Sequence, residues 1–90
     1  MTHPDAPDFS TVQKVLSSRW MLPTLRTLRT SLRFGAVQQA LGLPRGPLST
    51  QLHQLTQLGL VSRTSYPGFP PRVEYCATPR GTALLDLLSA

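Results

Sequence analysis

The sequence predicts a small, mostly α-helical domain with one β-hairpin, an α+β fold. Three features of the chain support this prediction. Leucines recur every three or four positions from Leu48 to Leu58, which is the spacing of one helix face. After Gly59 the helical spacing gives way to two short alternating segments, separated by the turn-rich stretch YPGFPP at 66–71. Shorter helical segments precede these features, so most of the helices come before the hairpin.

Length and composition indicate a single soluble domain. The chain has 90 residues, of which 40% are hydrophobic, and this is enough for a modest core. No apolar run approaches the roughly 20 residues of a membrane span, and the first residues lack the layout of a signal peptide, so we expect a cytoplasmic protein. The single cysteine, Cys76, excludes an internal disulfide and a cysteine-based zinc finger. We expect a flexible tail over 1–7 and one domain over 8–90.

Basic residues dominate the middle of the chain. The formal net charge is +5, and no Asp or Glu occurs between Phe9 and Val73, although most of the arginines and the only lysine do. Such a field attracts phosphate backbones and makes association sensitive to salt. The alternative is a generally basic surface with no specific partner. An arginine-rich composition alone, however, would not remove the acids from this interval.

The first third of the chain predicts two helices and a short extended segment. Asp8 or Ser10 can cap the first helix, whose apolar side comprises Phe9, Val12, Val15 and Leu16. A second helix is predicted from about Trp20 to Thr30, with Pro23 in its first turn, where the missing N–H is not needed. The next residues, 31–33, predict either a very short strand or a turn.

Two helices joined by a tight turn are predicted next. The first runs from Phe34 to Leu41 and is ended by Gly42, which can adopt a positive φ. The segment 43–47, LPRGP, leads into a second helix at about 45–58. Two short helices joined in this way form a helix-turn-helix. The polar face of the second helix is uncharged, whereas a merely solvated face usually carries Glu and Lys.

The chain after Gly59 predicts a hairpin and a last helix. Strands are predicted at 60–65 and 72–77, joined by a loop that its prolines make stiff. Thr78 can cap the last helix, with Pro79 at its first position. A helix-turn-helix followed by such a hairpin is a winged helix-turn-helix, in which the second helix fits the major groove of DNA.

These features predict which residues would contact DNA. The candidates for contact with base edges are four polar residues of the helix at about 45–58, namely Ser49, Thr50, His53 and Gln54. Gln51 flanks the buried stripe of this helix and is a weaker candidate. Arg45 and Gly46 lie at the start of that helix, where free backbone N–H groups also meet phosphates. Contacts with phosphates or with the minor groove are expected from Arg33, Arg63 and Arg72.

No chemistry of an enzyme is evident in the sequence. Cys76 has no His or acid at a catalytic spacing and is expected to be a packed side chain. His3 and His53 do not suggest a metal site. The chain has no phosphate-binding loop and no paired carboxylates. We therefore expect neither enzymatic activity nor a cofactor.

The chain resembles the HxlR-type winged helix-turn-helix transcriptional regulators of bacteria. The matching segments are RWMLPTLRTL at 19–28, Arg33-Phe34, the leucine frame at 48–61, and above all the wing sequence RTSYPGFPPRVEYCAT at 63–78. The resemblance covers roughly 15–85. It implies a dimeric DNA-binding repressor or activator that acts on palindromic operators, with a homodimer formed through the first and last helices.

The sequence departs from this family at three places. Members that sense thiol-reactive compounds use a cysteine near the N-terminus, and this chain has none there. Pro44 and Gly46 replace the Ser and the basic residue that often begin the family's recognition helix. The last helix is short for a dimer contact.

Three functions stay open at this point. The first is a sequence-specific double-stranded DNA-binding transcriptional regulator associated with the nucleoid, its wing, 63–75, lying on the flanking backbone. The second is a protein–protein interaction module that docks through the apolar wing tip at 67–70 or through the last helix. The third is a non-specific architectural DNA binder.

Overall fold

The computed structural model describes residues 8–88, which form five helices and one small sheet. The expected tail over 1–7 and the last two positions of the expected domain lie outside the described residues. The elements in chain order are α1 (Phe9–Ser17), α2 (Met21–Thr27), β1 (Leu32–Arg33), α3 (Phe34–Leu41), α4 (Arg45–Gln57), β2 (Val61–Tyr66), β3 (Arg72–Ala77) and α5 (Pro79–Leu88). This order confirms the predicted winged helix-turn-helix, with α3 and α4 as its two helices.

The sheet is antiparallel and has three strands in the order β1–β3–β2. The β2–β3 hairpin, the wing, pairs Val61 with Ala77 at one end and Tyr66 with Arg72 at the other. The residues at 31–33, which the sequence left open between strand and turn, supply β1, whose Leu32 pairs with Tyr75 of β3. Because α3 begins directly after β1, this pairing fixes the start of the helix-turn-helix to the wing.

The core is built around the leucine stripe of α4. Its Leu48, Leu52 and Leu55 are at most 2% exposed. Side chains from every helix and from the start of β2 pack around them, including Val15, Leu25, Leu28, Val37, Leu60, Val61, Leu84 and Leu85. Burying each large aliphatic side chain contributes roughly 1.5–3 kcal/mol. The buried stripe orients α4 and leaves the opposite face of the helix in solvent.

The first helix is capped as predicted and leaves part of its apolar side exposed. The Asp8 carboxylate accepts a hydrogen bond from the Thr11 N–H at 3.0 Å. Thr11, through its side chain and then its backbone N–H, lowers the pKa of Asp8 below its usual value. Phe9 and Leu16, on the apolar side that the sequence indicates, are 76% and 58% exposed. Periodicity identifies an apolar face without showing what covers it, and Val15 is the buried apolar residue of α1.

The second helix is shorter than predicted. It ends at Thr27 rather than Thr30, because the Leu28 carbonyl accepts a hydrogen bond from the N–H of Ala77, at the end of β3, at 2.8 Å. A carbonyl directed to the sheet does not continue the helical hydrogen-bond ladder. Pro23 lies in the first turn, as expected, and its carbonyl accepts a hydrogen bond from the Thr27 hydroxyl at 2.9 Å.

The exit from α4 explains why β2 starts one residue later than predicted. Gly59 has φ of 75°, and its N–H donates to the Thr56 carbonyl. The Leu60 N–H donates to the Leu55 carbonyl at 3.0 Å, which completes a Schellman motif. Leu60 therefore closes the helix, and the strand begins at Val61.

The last helix packs closely on Leu60, the residue before β2. The Thr78 hydroxyl accepts a hydrogen bond from the Gly81 N–H at 3.1 Å, as its predicted capping role requires. Gly81 is buried, and a Cβ built there would overlap the Leu60 carbonyl oxygen and lie 3.1 Å from Leu25 Cδ1. The contact therefore needs a residue without a side chain.

None of the helices within 8–88 is long and apolar enough to span a membrane.

Candidate nucleic-acid interface

The exposed face of α4 carries four of the predicted base-contacting residues together. Ser49, Thr50, His53 and Gln54 are all exposed, on the side of the helix opposite its buried leucines. The Thr50 hydroxyl donates to the Gly46 carbonyl at 3.2 Å, so its oxygen can still accept a hydrogen bond. The helix contains no carboxylate. This face therefore combines hydrogen-bonding groups with no charge that would repel a phosphate backbone.

The start of α4 agrees with the helix predicted at about 45–58. The helix begins at Arg45, inside the segment 43–47, and its N-cap is Pro44, which has no side-chain capping bond. The Arg45 guanidinium lies 4.9 Å from the centroid of the Phe34 ring, so α3 holds this cation beside the start of α4. A Cβ at Gly46 would meet nothing within 4 Å, so packing does not require a glycine there.

Gln51 is more buried than the other predicted contact residues of α4. Its side chain is half-buried, and its Oε1 lies 3.4 Å from the Ser18 hydroxyl, which donates to it. It borders an open groove of about 720 Å³ between α1 and α4, which Lys14, Met21 and the exposed Gln54 also line. Its amide is thus directed toward α1 rather than toward the exposed face of α4.

The wing lies beside the exposed face of α4. Arg63 of β2 pairs with Tyr75 of β3, and its side chain is exposed. Both residues border one small cleft of about 180 Å³ together with Ser49 and His53 of α4. Arg63 and the polar face of α4 therefore form one continuous surface.

Arg72 is held at the base of the wing loop by two neighbours. Its Nε lies 3.3 Å from Glu74 Oε2, and its guanidinium lies 5.0 Å from the centroid of the Tyr66 ring. Glu74 in turn accepts a hydrogen bond from the Ser31 hydroxyl at 2.8 Å. The positive charge of Arg72 is therefore partly balanced inside the protein.

Arg33 lies between the wing and the helix-turn-helix. It is exposed at the N-cap of α3, which also lacks a side-chain capping bond. With Arg72 and Pro70 it borders an open groove at the start of α3. Since Arg45 contacts Phe34 on the same helix, three predicted phosphate-contacting arginines surround the start of α3.

The carboxylates of the described chain are neutralised away from the exposed face of α4. Asp8 lies 3.5 Å from Arg80, Asp86 lies 3.1 Å from Arg29, and Glu74 pairs with Arg72 at the wing. The other cations of this range have no carboxylate oxygen of residues 8–88 within 4.0 Å, and they are Lys14, Arg19, Arg26, Arg33, Arg45 and Arg63. Lys14 borders the groove between α1 and α4, and Arg33, Arg45 and Arg63 border the start of α3, α4 or the wing.

The wing tip at 67–70, which the sequence offered as an apolar docking surface, contains one large exposed side chain. The ring of Phe69 is fully exposed. Cys76 is half-buried on β3, in agreement with its expected packing role. Across residues 8–88, no three His, Cys, Asp or Glu side chains come together in a group that could hold a metal ion.

A search for similar sequences finds a family of helix-turn-helix proteins. The family profile described as HxlR-like helix-turn-helix matches residues 15–90. An uncharacterized HTH-type transcriptional regulator from Methanothermobacter thermautotrophicus is 34% identical over 77 residues, which cover 83% of this chain and 59% of that protein. The HTH-type transcriptional regulator YvaP from Bacillus subtilis is 37% identical over 84 residues, which cover 91% of this chain and 78% of YvaP. The chain thus spans less than two thirds of the archaeal relative.

Solved structures of similar fold are also regulators by name. A protein from Enterococcus faecalis assigned to the MarR family of transcriptional regulators superposes with a TM-score of 0.82 and 33% identity, over 98% of this chain and 86% of that one. The reduced form of the transcriptional regulator YodB from B. subtilis superposes with a TM-score of 0.82 and 25% identity, over 99% of this chain and 86% of that one. None of these proteins is named as an enzyme.

Proposed function

Because the chain belongs to the HxlR-like helix-turn-helix family, we propose that it is a transcriptional regulator that binds double-stranded DNA in a sequence-specific manner. One observation carries the proposal. The uncharged polar face of α4 is exposed and adjoins Arg63 of the wing, with Arg33 and Arg45 close by. A surface that combines neutral hydrogen-bonding groups with flanking cations suits base edges and phosphates together.

The proposed reading element is the exposed face of α4 in the major groove. A helix fits this groove, and each base pair there presents a distinct pattern of donors and acceptors. Gln54 can bind adenine through two hydrogen bonds, while Ser49, Thr50 and His53 can donate to or accept from several base edges. Gln51 contributes less in this proposal, because its amide is directed toward Ser18.

The proposed phosphate contacts come from the start of α4, the start of α3 and the wing. Arg45 and the uncapped N–H groups near Gly46 would meet one phosphate group at the edge of the major groove. Arg33, Arg63 and Arg72 would meet the flanking backbone. Phosphate contacts of this kind position a protein on the duplex without reading its sequence.

We further propose that the protein acts as a homodimer through α1 and α5. The apolar residues that α1 and α5 leave exposed are Phe9, Leu16 and Leu87. The two helices are joined by Arg80, whose Nη2 donates to the Thr11 hydroxyl at 3.0 Å. A symmetric pair would present two copies of α4 to a palindromic site on chromosomal DNA, with half-sites about one helical turn apart.

The proposal is tested by removing the groups assigned to base reading. Duplexes enriched from a random pool by the full chain serve as the specific probe, and the unselected pool serves as the non-specific probe. Replacing Thr50, His53 and Gln54 together by Ala should bring the two affinities to within a few-fold of each other, because each base pair read is worth about 1–3 kcal/mol. Gln57→Ala, at the C-terminal end of the same helix, is the control and should preserve the discrimination.

Two results would contradict the proposal. Unchanged discrimination in the triple variant would overturn the assignment of these residues. If the wild-type chain binds no duplex even at low salt, DNA binding itself is overturned, and the protein-interaction alternative is favoured instead.

A further inference from the structure

The wing presents an aromatic ring that no part of the described chain covers. Phe69 is fully exposed, whereas burying such a side chain would contribute roughly 1.5–3 kcal/mol. Prolines at 67, 70 and 71 surround it, and each fixes its own φ near −65°. A loop with few conformations to lose can hold the ring outward at a small entropic cost when it binds a partner.

The surroundings of this ring are positively charged. Residues 62–73 contain no carboxylate, while Arg72 stacks on Tyr66 at the base of the loop. Arg33 borders the same groove as Pro70. The nearest acid along the strand, Glu74, is occupied by Arg72 and by the Ser31 hydroxyl. An apolar tip with cations behind it is complementary to a groove lined by phosphates.

The wing also has the reach that such a contact needs. Arg63 borders the exposed face of α4, and three residues of extended strand from Arg63 to Tyr66 cover about 10 Å. The loop that carries Phe69 extends further. Half a turn of duplex, from the major groove to the next minor groove, is about 17 Å. The three residues from Tyr66 to Phe69 can add up to about 10 Å, which brings the adjacent minor groove within reach when α4 lies in the major groove.

We propose that Phe69 is an apolar wedge that enters this minor groove and partly unstacks one base step beside each half-site. The inference rests on the proposed DNA-binding function and adds to it a determinant of specificity. Unstacking is least costly at flexible pyrimidine–purine steps, TA and CA/TG. The wedge thus selects such a step at a flanking position that no hydrogen bond reads.

The test measures base unstacking directly. The full chain is titrated onto a duplex enriched from a random pool, with 2-aminopurine placed in turn at each position of the flanks. Wild type should raise the fluorescence at one flanking step per half-site. Phe69→Ala should abolish that rise and weaken binding about tenfold, about 1.4 kcal/mol. Phe69→Leu, which keeps an apolar wedge, should retain most of the rise and of the affinity.

The outcomes separate the wedge from the DNA-binding function itself. If Phe69→Ala binds the duplex as tightly as wild type, or if wild type raises the fluorescence at no flanking position, the wedge is overturned while DNA binding stands. If wild type binds neither the enriched duplex nor the unselected pool, the proposed function fails first. Because the ring is exposed, all variants should keep the wild-type circular dichroism spectrum and unfolding midpoint.

Discussion

Thr24, in the middle of α2, buries a hydroxyl that has no hydrogen-bond partner. It is the one such side-chain group among residues 8–88, and Thr24 is fully buried. Thr24→Val removes the desolvated hydroxyl while keeping the shape, so we expect the protein to gain about 1 kcal/mol of stability. Thr27→Val is the matched control, since the Thr27 hydroxyl donates to the Pro23 carbonyl, and it should lose about that amount. Urea midpoints that fall for both variants would contradict this account.

Gly81 lies where the packing leaves no room for a side chain. A Cβ there would overlap the carbonyl oxygen of Leu60, which is backbone and cannot rotate away. Gly81→Ala should therefore destabilise the protein by at least about 1–3 kcal/mol, the usual cost of overpacking. Gly35→Ala, in α3, should be neutral or stabilise by up to about 1 kcal/mol, because its Cβ would meet nothing within 4 Å. Equal urea midpoints for the two variants would show that α5 does not pack this closely on the Leu60 backbone.

The wing offers a test of phosphate contact at the level of a single element. Arg63 has no carboxylate partner within residues 8–88, so Arg63→Ala should weaken binding to all duplexes and reduce the slope of log affinity against log salt by about 1. Arg29→Ala removes the same charge from a side chain that pairs with Asp86 of α5, and it should leave the slope nearly unchanged. Equal slopes for the two variants would mean that net charge alone matters. Arg72→Ala is less informative, because it also leaves Glu74 unpaired.

The elements with strong local signals were predicted closely from the sequence. The bounds of α3 and β3 match, since Gly42 ends one and the prolines of the wing loop precede the other. The end of α2 could not be predicted, because the hydrogen bond from the Ala77 N–H to the Leu28 carbonyl joins residues far apart in the chain. Non-local contacts of this kind leave no periodic trace in a sequence.

Contacts between side chains were the least predictable part of the interface. The exposure of the polar face of α4 follows from its leucine spacing, but the contact of Gln51 with Ser18 depends on how α1 crosses α4. The sequence identified the wing tip at 67–70 as apolar, but its turn-forming residues predict a loop and not the direction of the Phe69 ring. The exposure of Leu16 depends on which neighbour covers α1, and periodicity carries no information on that.

At the scale of the whole molecule, the proposed dimer can be separated from folding. Leu16 is 58% exposed, so Leu16→Glu should change the free energy of unfolding of the monomer by about 0.5 kcal/mol or less. In a symmetric dimer it would place two buried carboxylates at the interface, so sedimentation should report monomers. Gln39→Glu, exposed on α3, adds the same charge away from α1 and α5 and should leave the dimer intact. A wild-type chain that sediments as a monomer at high concentration would contradict the proposed pairing.

The charge distribution of the molecule points to a single DNA-binding side. The carboxylates within residues 8–88 are each paired with an arginine, and two of the pairs lie on α1 or α5, the helices proposed to form the dimer. Of the six cations without a carboxylate partner among these residues, Arg33, Arg45 and Arg63 lie around α4 and the wing. Association with duplex DNA should therefore be fast and strongly salt-dependent, with α4 facing the duplex.

Selection of bound sites from a random duplex library by the full chain tests the central claim most directly. The account predicts an enriched inverted repeat whose half-sites are centred about 10–10.5 base pairs apart, or a multiple of that distance, because two copies of α4 would read successive major grooves. It also predicts that alanine at Thr50, His53 and Gln54 abolishes the enrichment. A pool that is retained by the protein but stays random in sequence after repeated rounds would contradict the account, since it would show a DNA binder that does not read bases.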